Sequence, residues 1–576
     1  MSEPAARRNP WVALAVLCLG NFLILLDTSI VNTAAPQIMR DLDTGIDEIL
    51  WVLNAYLLAL ASLLIVAGRL GDLLGPRRVF VAGLAGFAVA SLLCGAARTP
   101  GELIAARAVQ GLAAATLLPQ ALVLISAIFP PARRGAAFGI FTAVAGLAAV
   151  SGPTLGGLLL TDLGWRWIFL INIPLGVAGV VATLRLVPDL RSPRPSGFDP
   201  VGVLLATAGL VAVAYALVEG ERLSWGPAIG AVTVPMILVA GVVMLLVFVG
   251  WERRHRAPLV PTRLFGDRTF TAAVVITMST SFALYGFLLV FVIETQTLLG
   301  MSPLLAGVTA LPWTLTLSAV APVAGRLTDR VGGRLLLMVG LAAFAAGVFA
   351  VAVVPGTDAT PATFVLPLML VGVGMGAAIA PTTTEAMRAV PQVLGGAASG
   401  VLNTARQVGG VLGAAVAGAL LQHRLVDGLH ASVTARAEQL PPELRPAFVD
   451  GFERAAAHGL NLGAGQHGGV SPPPGLAAGP AQRFSTAAAD AFADAFLPAA
   501  RATLTLVAVV LLCAAVLAAF VRRRATVAQP PAVVPPVAVS TAGASTRDQR
   551  DRRRPAPHRH VRTSEGAAGT GPVPRS

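Results

Sequence analysis

Apolar runs long enough to cross a lipid bilayer recur along the chain from residue 11 to residue 521. A membrane-spanning helix needs about 20 mostly apolar residues. Runs of this kind cover residues 11–33, 49–70, 79–98, 101–126, 136–160, 165–187, 199–219, 227–250, 269–293, 303–325, 335–354, 362–386, 397–421 and 499–521. The pattern therefore predicts an all-α membrane protein with fourteen transmembrane helices.

A short charged turn interrupts the apolar pattern twice in the same form, each time after the second helix of a set. The first copy contains Gly68, Asp72, Gly75, Arg77 and Arg78, and the second contains Gly325, Asp329, Gly332 and Arg334. Such a repeat in corresponding loops indicates a duplicated bundle of the kind that builds transporters. We call these segments the two gating turns.

The repeat divides the chain into two six-helix bundles with two inserted helices between them. The predicted parts are a cytoplasmic N-terminus (1–10), an N-terminal six-helix bundle (11–187), a linker with two inserted transmembrane helices (188–268), a C-terminal six-helix bundle (269–521) that includes a long extracellular loop (422–498), and a disordered cytoplasmic tail (522–576). In the long loop, Phe484, Phe492 and Phe496 share one helical face and Asp490 and Asp494 another. This pattern predicts a helix lying on the outer membrane surface.

Composition supports a lipid environment, since 55% of the residues are hydrophobic and only 12% are charged. The net charge of +13 does not indicate nucleic-acid binding, because the tail from residue 522 holds eleven Arg against three acidic residues. The other arginines cluster in alternate loops, as the positive-inside rule requires. We therefore expect a multi-pass protein of the plasma membrane with both termini in the cytoplasm.

The chain contains no lysine, which excludes several kinds of enzyme. A Walker A loop needs a Lys at the phosphates, and a pyridoxal enzyme needs a Schiff-base Lys. The cysteines and histidines show no metal-ligand spacing. We predict neither an enzyme nor an ATPase, and no metal or cofactor.

Asp27 and Arg107 are ionisable residues well inside the first and fourth predicted spans. A carboxylate there costs about 2.5–3.5 kcal/mol on insertion scales, so it normally faces a polar cavity or a partner. The two residues lie at a similar depth in the outer half of the bilayer, which permits an interaction that responds to protonation. In the alternative interpretations, Asp27 lies at the interface and Arg107 extends to the lipid headgroups.

Three further sets of residues stand out. Small residues and a proline in the fifth span predict a helix-packing seam: Gly146, Gly152, Pro153, Gly156 and Gly157. Asp72 and Arg77 fit either a plain capped turn or a charge latch between moving helices. Polar and aromatic residues inside other spans are candidates to line a substrate cavity, although lipid or core packing is the simpler interpretation for the aromatic ones: Asn32, Asn54, Tyr56, Gln110, Tyr285, Glu294, Gln296, Trp313, Asn403 and Arg406.

Together these segments resemble the major facilitator superfamily, specifically its fourteen-helix drug:proton antiporter family. The gating turns, the segment from Asp27 to Pro36, the residues Arg107, Gln110 and Gly111, and the glycines of the fifth span resemble that family's motifs. Leu73 and Pro76 depart from the charged residues that the family favours, so the first latch is expected to be weaker.

The resemblance implies a proton-coupled antiporter that exports amphiphilic small molecules, such as drugs or antibiotics, by rocking of its two halves. Asp27 and Arg107 would carry the proton coupling. The alternatives are an exporter dedicated to one endogenous natural product, a nutrient importer, and a non-transporting membrane sensor.

Overall fold

The computed structural model describes residues 9–522 apart from 190–196, 198, 221–222, 224, 256–257, 354–355, 458–471 and 474–475. The predicted tail beyond Arg522 and most of the predicted N-terminal segment therefore lie outside the described residues. The side chain of Pro153 lies outside them too.

The first half of the chain folds into a bundle of long helices with proline at several helix starts. The helices are α1 (Pro10–Asp41), α2 (Ile46–Leu74), α3 (Pro76–Ala96), α4 (Pro100–Ile128), α5 (Arg134–Asp162), α6 (Trp167–Leu170) and α7 (Asn172–Leu186). The predicted sixth span is broken between α6 and α7. Pro174 lacks the N–H that would otherwise bind the carbonyl of Leu170, which contributes to the break.

Two inserted helices follow, α8 (Pro200–Glu219) and α9 (Val234–Glu252). They pack against each other, and α8 also contacts α2. The sequence predicted that the eighth span begins near residue 227, and this start is wrong, because α9 begins at Val234. A two-stranded antiparallel hairpin, β1 (Pro227–Ile229) and β2 (Val232–Thr233), precedes the helix because Gly230 turns the chain with a φ of 57°.

The second half forms another bundle. Its helices are α10 (Arg268–Ile293), α11 (Pro303–Thr309), α12 (Leu311–Val331), α13 (Gly333–Val353), α14 (Pro361–Arg388), α15 (Gly395–Ala437), α16 (Arg445–Ala457) and α17 (Ala478–Leu517). A π-helical turn over Glu294–Leu298 extends α10.

Within the described part of the chain, thirteen helical segments are long and apolar enough to cross a membrane. The remaining predicted span coincides with α5. The two halves meet where α2 packs on α15 and α5 packs on α12. Glycine makes this close approach possible, because a Cβ at Gly68 would collide with the carbonyl of Gly396 and a Cβ at Gly139 with that of Ala321.

The structure corrects the predicted loop 422–498, which is helical over most of its described length. Helix α15 continues to Ala437, and α17 begins at Ala478. Phe484, Phe492 and Phe496 are fully buried in the packing between these helices and α16, instead of lying on a lipid surface. We call the part of α15 beyond residue 421, α16 and the start of α17 the helical extension.

The polar face of the extension holds the two long helices together. Arg436 of α15 pairs with Asp490 at 3.0 Å and Asp494 at 2.7 Å on α17. The predicted faces of this segment were therefore correct, but the apolar face packs against protein.

We expect Phe492→Ala to loosen the helical extension, since truncating a buried Phe costs about 3–5 kcal/mol. Phe492 is fully buried and stacks on Phe496 with ring centroids 5.6 Å apart. Limited trypsin digestion checks this, because cleavage after Arg436 should become faster. Phe520→Ala, at a side chain that is 62% exposed, is the control. Equal cleavage rates in the two variants would contradict the helical packing described here.

Candidate functional site

A closed polar network lies inside the first bundle, centred on the carboxylate of Asp27. Nη1 of Arg107 lies 2.5 Å from Oδ2 of Asp27 and 2.7 Å from Oε1 of Gln110. The amide of Gln110 donates to Oδ1 of Asp27 at 2.9 Å. Asp27 and Gln110 are fully buried and Arg107 is 1% exposed, so the ion pair is shielded from solvent. Neither an interfacial Asp27 nor a headgroup-directed Arg107 fits this geometry.

Other helices complete the network. Asn172 donates to Oδ1 of Asp27 at 3.3 Å, and Gln110 donates to the hydroxyl of Ser91 at 2.8 Å. Nε of Arg107 donates to the carbonyl of Val52 at 3.2 Å. Helices α1, α2, α3, α4 and α7 therefore each contribute one or more groups to it.

Two aromatic rings enclose the guanidinium. Its carbon lies 4.2 Å from the ring centroid of Tyr56 and 5.8 Å from that of Phe169, which is cation–π geometry for the nearer ring. Tyr56 and Gln110 were predicted as cavity residues, and both lie fully buried in this closed network.

Local sequence explains how these groups meet. Arg107 and Gln110 are three residues apart and so share one face of α4. Gly111, next to them, lets α4 approach α2, because a Cβ there would collide with the carbonyl of Tyr56. The break before α7 brings Asn172 to the same point. Sequence reasoning missed Ser91 and Asn172, and their only signal was polarity inside an apolar span.

The first gating turn closes one end of the bundle. Asp72, near the end of α2, accepts hydrogen bonds from the backbone N–H of Gly396 at 3.0 Å and of Ala397 at 3.2 Å. These amides are the free donors at the start of α15, a position that favours negative charge. Gly75 then turns the chain into α3 with a φ of 94°, which an L side chain rarely adopts.

The second gating turn repeats this arrangement across the other contact between the halves. Asp329 accepts hydrogen bonds from the N–H of Gly135 at 2.8 Å and of Ala136 at 2.9 Å, at the start of α5. Gly332 has a φ of 86°. A Cβ at Gly325 would collide with the carbonyl of Gly135. Both turns thus link the halves at the same end of the molecule, which we call the gating-turn end.

The two turns differ in their charged partners. Arg388 of α14 forms an ion pair with Asp329, pairs with Glu385 at 3.2 Å, and donates to the carbonyl of Pro131 at 2.8 Å. Glu385 in turn accepts the N–H of Gly333 at 3.0 Å. Among the described residues, Asp72 has hydrogen bonds from backbone amides only.

The arginines of the turns point elsewhere. Arg77 donates to the carbonyl of Leu184 at the end of α7. Arg78 is exposed and Arg334 is partly exposed.

The small residues of α5 face two different helices. Gly146 packs on Ser318 of α12, whose hydroxyl also donates to the carbonyl of Ala143 at 3.1 Å. Gly152 packs on Ser29 of α1, and Gly156 on Ile30. A Cβ at Gly157 would meet open space.

The remaining predicted cavity residues do not form one cluster with the closed network. Trp313 is 8% exposed and donates to Sδ of Met375 at 3.0 Å inside the second bundle. Asn32 is exposed, and its side-chain amide donates to the carbonyl of Thr28 on its own helix. Asn54 and Gln296 are partly exposed. Tyr285 and Arg406 lie on facing helices, α10 and α15.

Glu294 is 3% exposed at the first position of the π-helical turn. Its Oε2 is enclosed and has no hydrogen-bond partner among the described residues.

The Major Facilitator Superfamily model matches residues 17–414 of this chain. The chain belongs to the major facilitator superfamily. The predicted family and all-α fold are confirmed, and the protein is a multi-pass membrane transporter and not an enzyme.

Named relatives of the transporter include two resistance proteins. The puromycin resistance protein pur8 of Streptomyces alboniger is 38% identical over 415 residues, covering 71% of this chain and 82% of that protein. The multidrug resistance protein Stp of Mycobacterium tuberculosis is 36% identical over 403 residues, covering 70% and 74%. The human organic anion transporter MFSD10 (TETRAN) superposes with a TM-score of 0.50 at 12% identity, covering 71% and 93%, and this likeness shows the fold alone.

We expect Glu294→Met to raise the apparent Tm of the transporter, because it removes a buried polar atom that lacks a partner. Glu252→Met is the matched control. Glu252 is also 3% exposed, but it accepts the N–H of Leu259 at 3.2 Å and of Val260 at 2.9 Å. Scanning fluorimetry in detergent should show a lower Tm for the control. A lower Tm for both variants would show that Glu294 has a stabilising partner.

We expect Asp329→Asn to open the gating-turn end more than Asp72→Asn does, because only Asp329 loses an ion pair across helices. Spin labels at Leu74 and Val331, both exposed at that end and in different halves, would report the separation by double electron–electron resonance. An equal shift in the two variants would show that Arg388 adds nothing to closure.

Proposed function

We propose that the transporter is a proton-coupled antiporter that exports amphiphilic small molecules across the plasma membrane by alternating access. Its termini lie in the cytoplasm in this proposal, as the distribution of arginine favours. The observation that carries the proposal is the buried Asp27–Arg107 pair with its ring of polar partners.

The pair is suited to proton coupling because neither charge is stable there alone. Removing one partner of a buried ion pair costs about 3–5 kcal/mol. Protonating Asp27 has this effect on Arg107, which would keep only the Val52 carbonyl, Gln110 and the ring of Tyr56. A difference of about 5.5 kcal/mol between two conformations inverts a 1:99 population. The free energy associated with protonating Asp27 is therefore a large part of this difference, and it is sufficient to bias the carrier toward one conformation.

The closed state of the site supports alternating access. Asp27 is fully buried in this conformation, so water must reach it in another one. The contacts between the halves described above lie toward the gating-turn end, the cytoplasmic end in this proposal. Helix α5 touches α12 and Asp329 at that end and α1 beside Asp27 further along. Rocking of the halves would thus act on both places.

The substrate class is inferred from the relatives. Their names describe resistance to puromycin in one case and to multiple drugs in the other. We propose export of drug-like amphiphiles, with export of one endogenous natural product as the alternative.

We expect Asp27→Asn to abolish proton-coupled efflux while the protein stays folded, because Asn keeps the shape of the side chain but cannot bind and release a proton. Inside-out vesicles with an imposed pH gradient provide the assay: substrates of an antiporter dissipate the gradient when added. Asp41→Asn, at an exposed position at the end of the same helix, is the control.

The response to a panel of cationic, neutral and anionic amphiphiles separates the two forms of the proposal. Responses to several compounds support broad export, and a response to one natural product only supports the dedicated exporter. Normal coupled efflux by Asp27→Asn would exclude the role proposed for Asp27.

A further inference from the structure

Arg406 is a cationic side chain in the middle of α15. Nη1 of Arg406 donates to Oδ1 of Asn403 at 3.0 Å, and Asn403, which is 2% exposed, is held by the carbonyl of Ser399 at 2.9 Å. Among the described residues, no carboxylate lies within 4.0 Å of the Arg406 guanidinium. Arg107, by contrast, is fully paired.

Arg406 lies on α15 between the residues that contact the two halves. On its own helix, Gly409 and Gly413 pack against α10 of the second half, whereas Gly396 and Gly400 pack against α2 of the first half. At about 100° per residue, Arg406 lies in the sector between these two contact directions. The side chain is partly exposed there.

Arg406 lies at the depth in the bilayer that is expected of a substrate site. Arg406 lies ten residues beyond Gly396, or about 15 Å along the helix. The hydrocarbon core of a bilayer is about 30 Å thick, so this is close to its middle. Transporters of this architecture bind their substrates at the interface of the repeats near the same depth.

Tyr285 of α10 supplies a second polar group next to Arg406. Its ring packs on Gly410, one turn along α15 from Arg406, and the two side chains are close enough to interact electrostatically. The ring is 43% exposed. The next residue of α10, Gly286, packs on Gly413 of α15 and Val507 of α17, so Tyr285 lies where α10 contacts α15.

The N–H donors of the Arg406 guanidinium are suited to binding an acidic group. A guanidinium has five N–H donors and no acceptor, and the described contacts of Arg406 use one of them. An unpaired cation at this depth is costly until an anion binds. A guanidinium also suits carboxylates and other planar oxyanions, which it binds through two parallel hydrogen bonds.

We propose that Arg406 and Tyr285 bind the acidic group of an anionic amphiphile, such as a carboxylate, sulfonate or acidic phenol, with Asn403 as a positioning residue for Arg406. This inference rests on the proposed export function, because it names the chemical class of the exported molecule.

Binding to purified transporter in nanodiscs tests the site without requiring transport. The probes are the anionic dye fluorescein and the cationic dye rhodamine 123, which share a ring scaffold, measured by fluorescence polarisation, with deoxycholate as an anionic competitor. Arg406→Gln should weaken fluorescein binding about tenfold or more, as expected for loss of a charged hydrogen bond. Arg406→Lys should restore part of it.

Two controls separate a local effect from a general one. Arg424→Gln, at an exposed position on the same helix, should leave fluorescein binding unchanged. Rhodamine 123 should bind Arg406→Gln at least as well as the wild type. Unchanged fluorescein affinity in Arg406→Gln, or a wild type that binds neither fluorescein nor deoxycholate, would overturn the proposal.

Vesicle transport then distinguishes this inference from the function on which it rests. If the wild type binds fluorescein through Arg406 but a pH gradient drives neither dye, the anion site stands and proton-coupled export fails. If the gradient drives rhodamine 123 but not fluorescein, and Arg406→Gln changes neither, export stands and the anion site is excluded.

Discussion

The burial of one ion pair is the constraint on which much of the first bundle depends. Arg107 and Asp27 are both removed from solvent, where an isolated charge of either sign would be strongly unfavourable. Their hydrogen bonds therefore have to be completed by other groups, and five helices supply them. The helix break after the short α6 places one of these groups, Asn172, beside the carboxylate. A purely apolar core would impose no such condition on helix positions.

The same bundle is connected to the other half mainly through backbone contacts at glycine. Close packing of α5 on α12, and of α2 on α15, brings helix N-termini within reach of Asp329 and Asp72. Helix α5 then reaches Ser29 of α1, two residues from Asp27, so one helix contacts both the second gating turn and the segment that carries Asp27. In the proposed cycle, movement of α5 would therefore link the two places directly.

The sequence predicted the parts of this arrangement that depend on apolar length and on isolated charge. The spans and the Asp27–Arg107 interaction followed from hydropathy and from similar depth. The contributions of Asn172 and Ser91 did not, because a neutral polar residue inside a span gives no sign of its partner. The helical extension was misassigned, since the proline- and glycine-rich segment after residue 462 dominated the interpretation. The four-residue spacing of Leu421, Leu425, Leu429, Val433 and Ala437 was the signal for continued helix packing.

Helix α15 runs without interruption for 43 residues, from the amides that bind Asp72 to the pairing of Arg436 in the helical extension. At about 1.5 Å per residue it is a rod of roughly 64 Å, longer than the bilayer is thick. A small tilt of such a long helix produces a larger displacement at its end in the helical extension. A tilt of about 5° at the level of Arg406 displaces the end at Ala437 by about 4 Å. In the proposed alternating-access cycle, such a tilt would carry a movement of the gating-turn end to the opposite surface, through the helical extension.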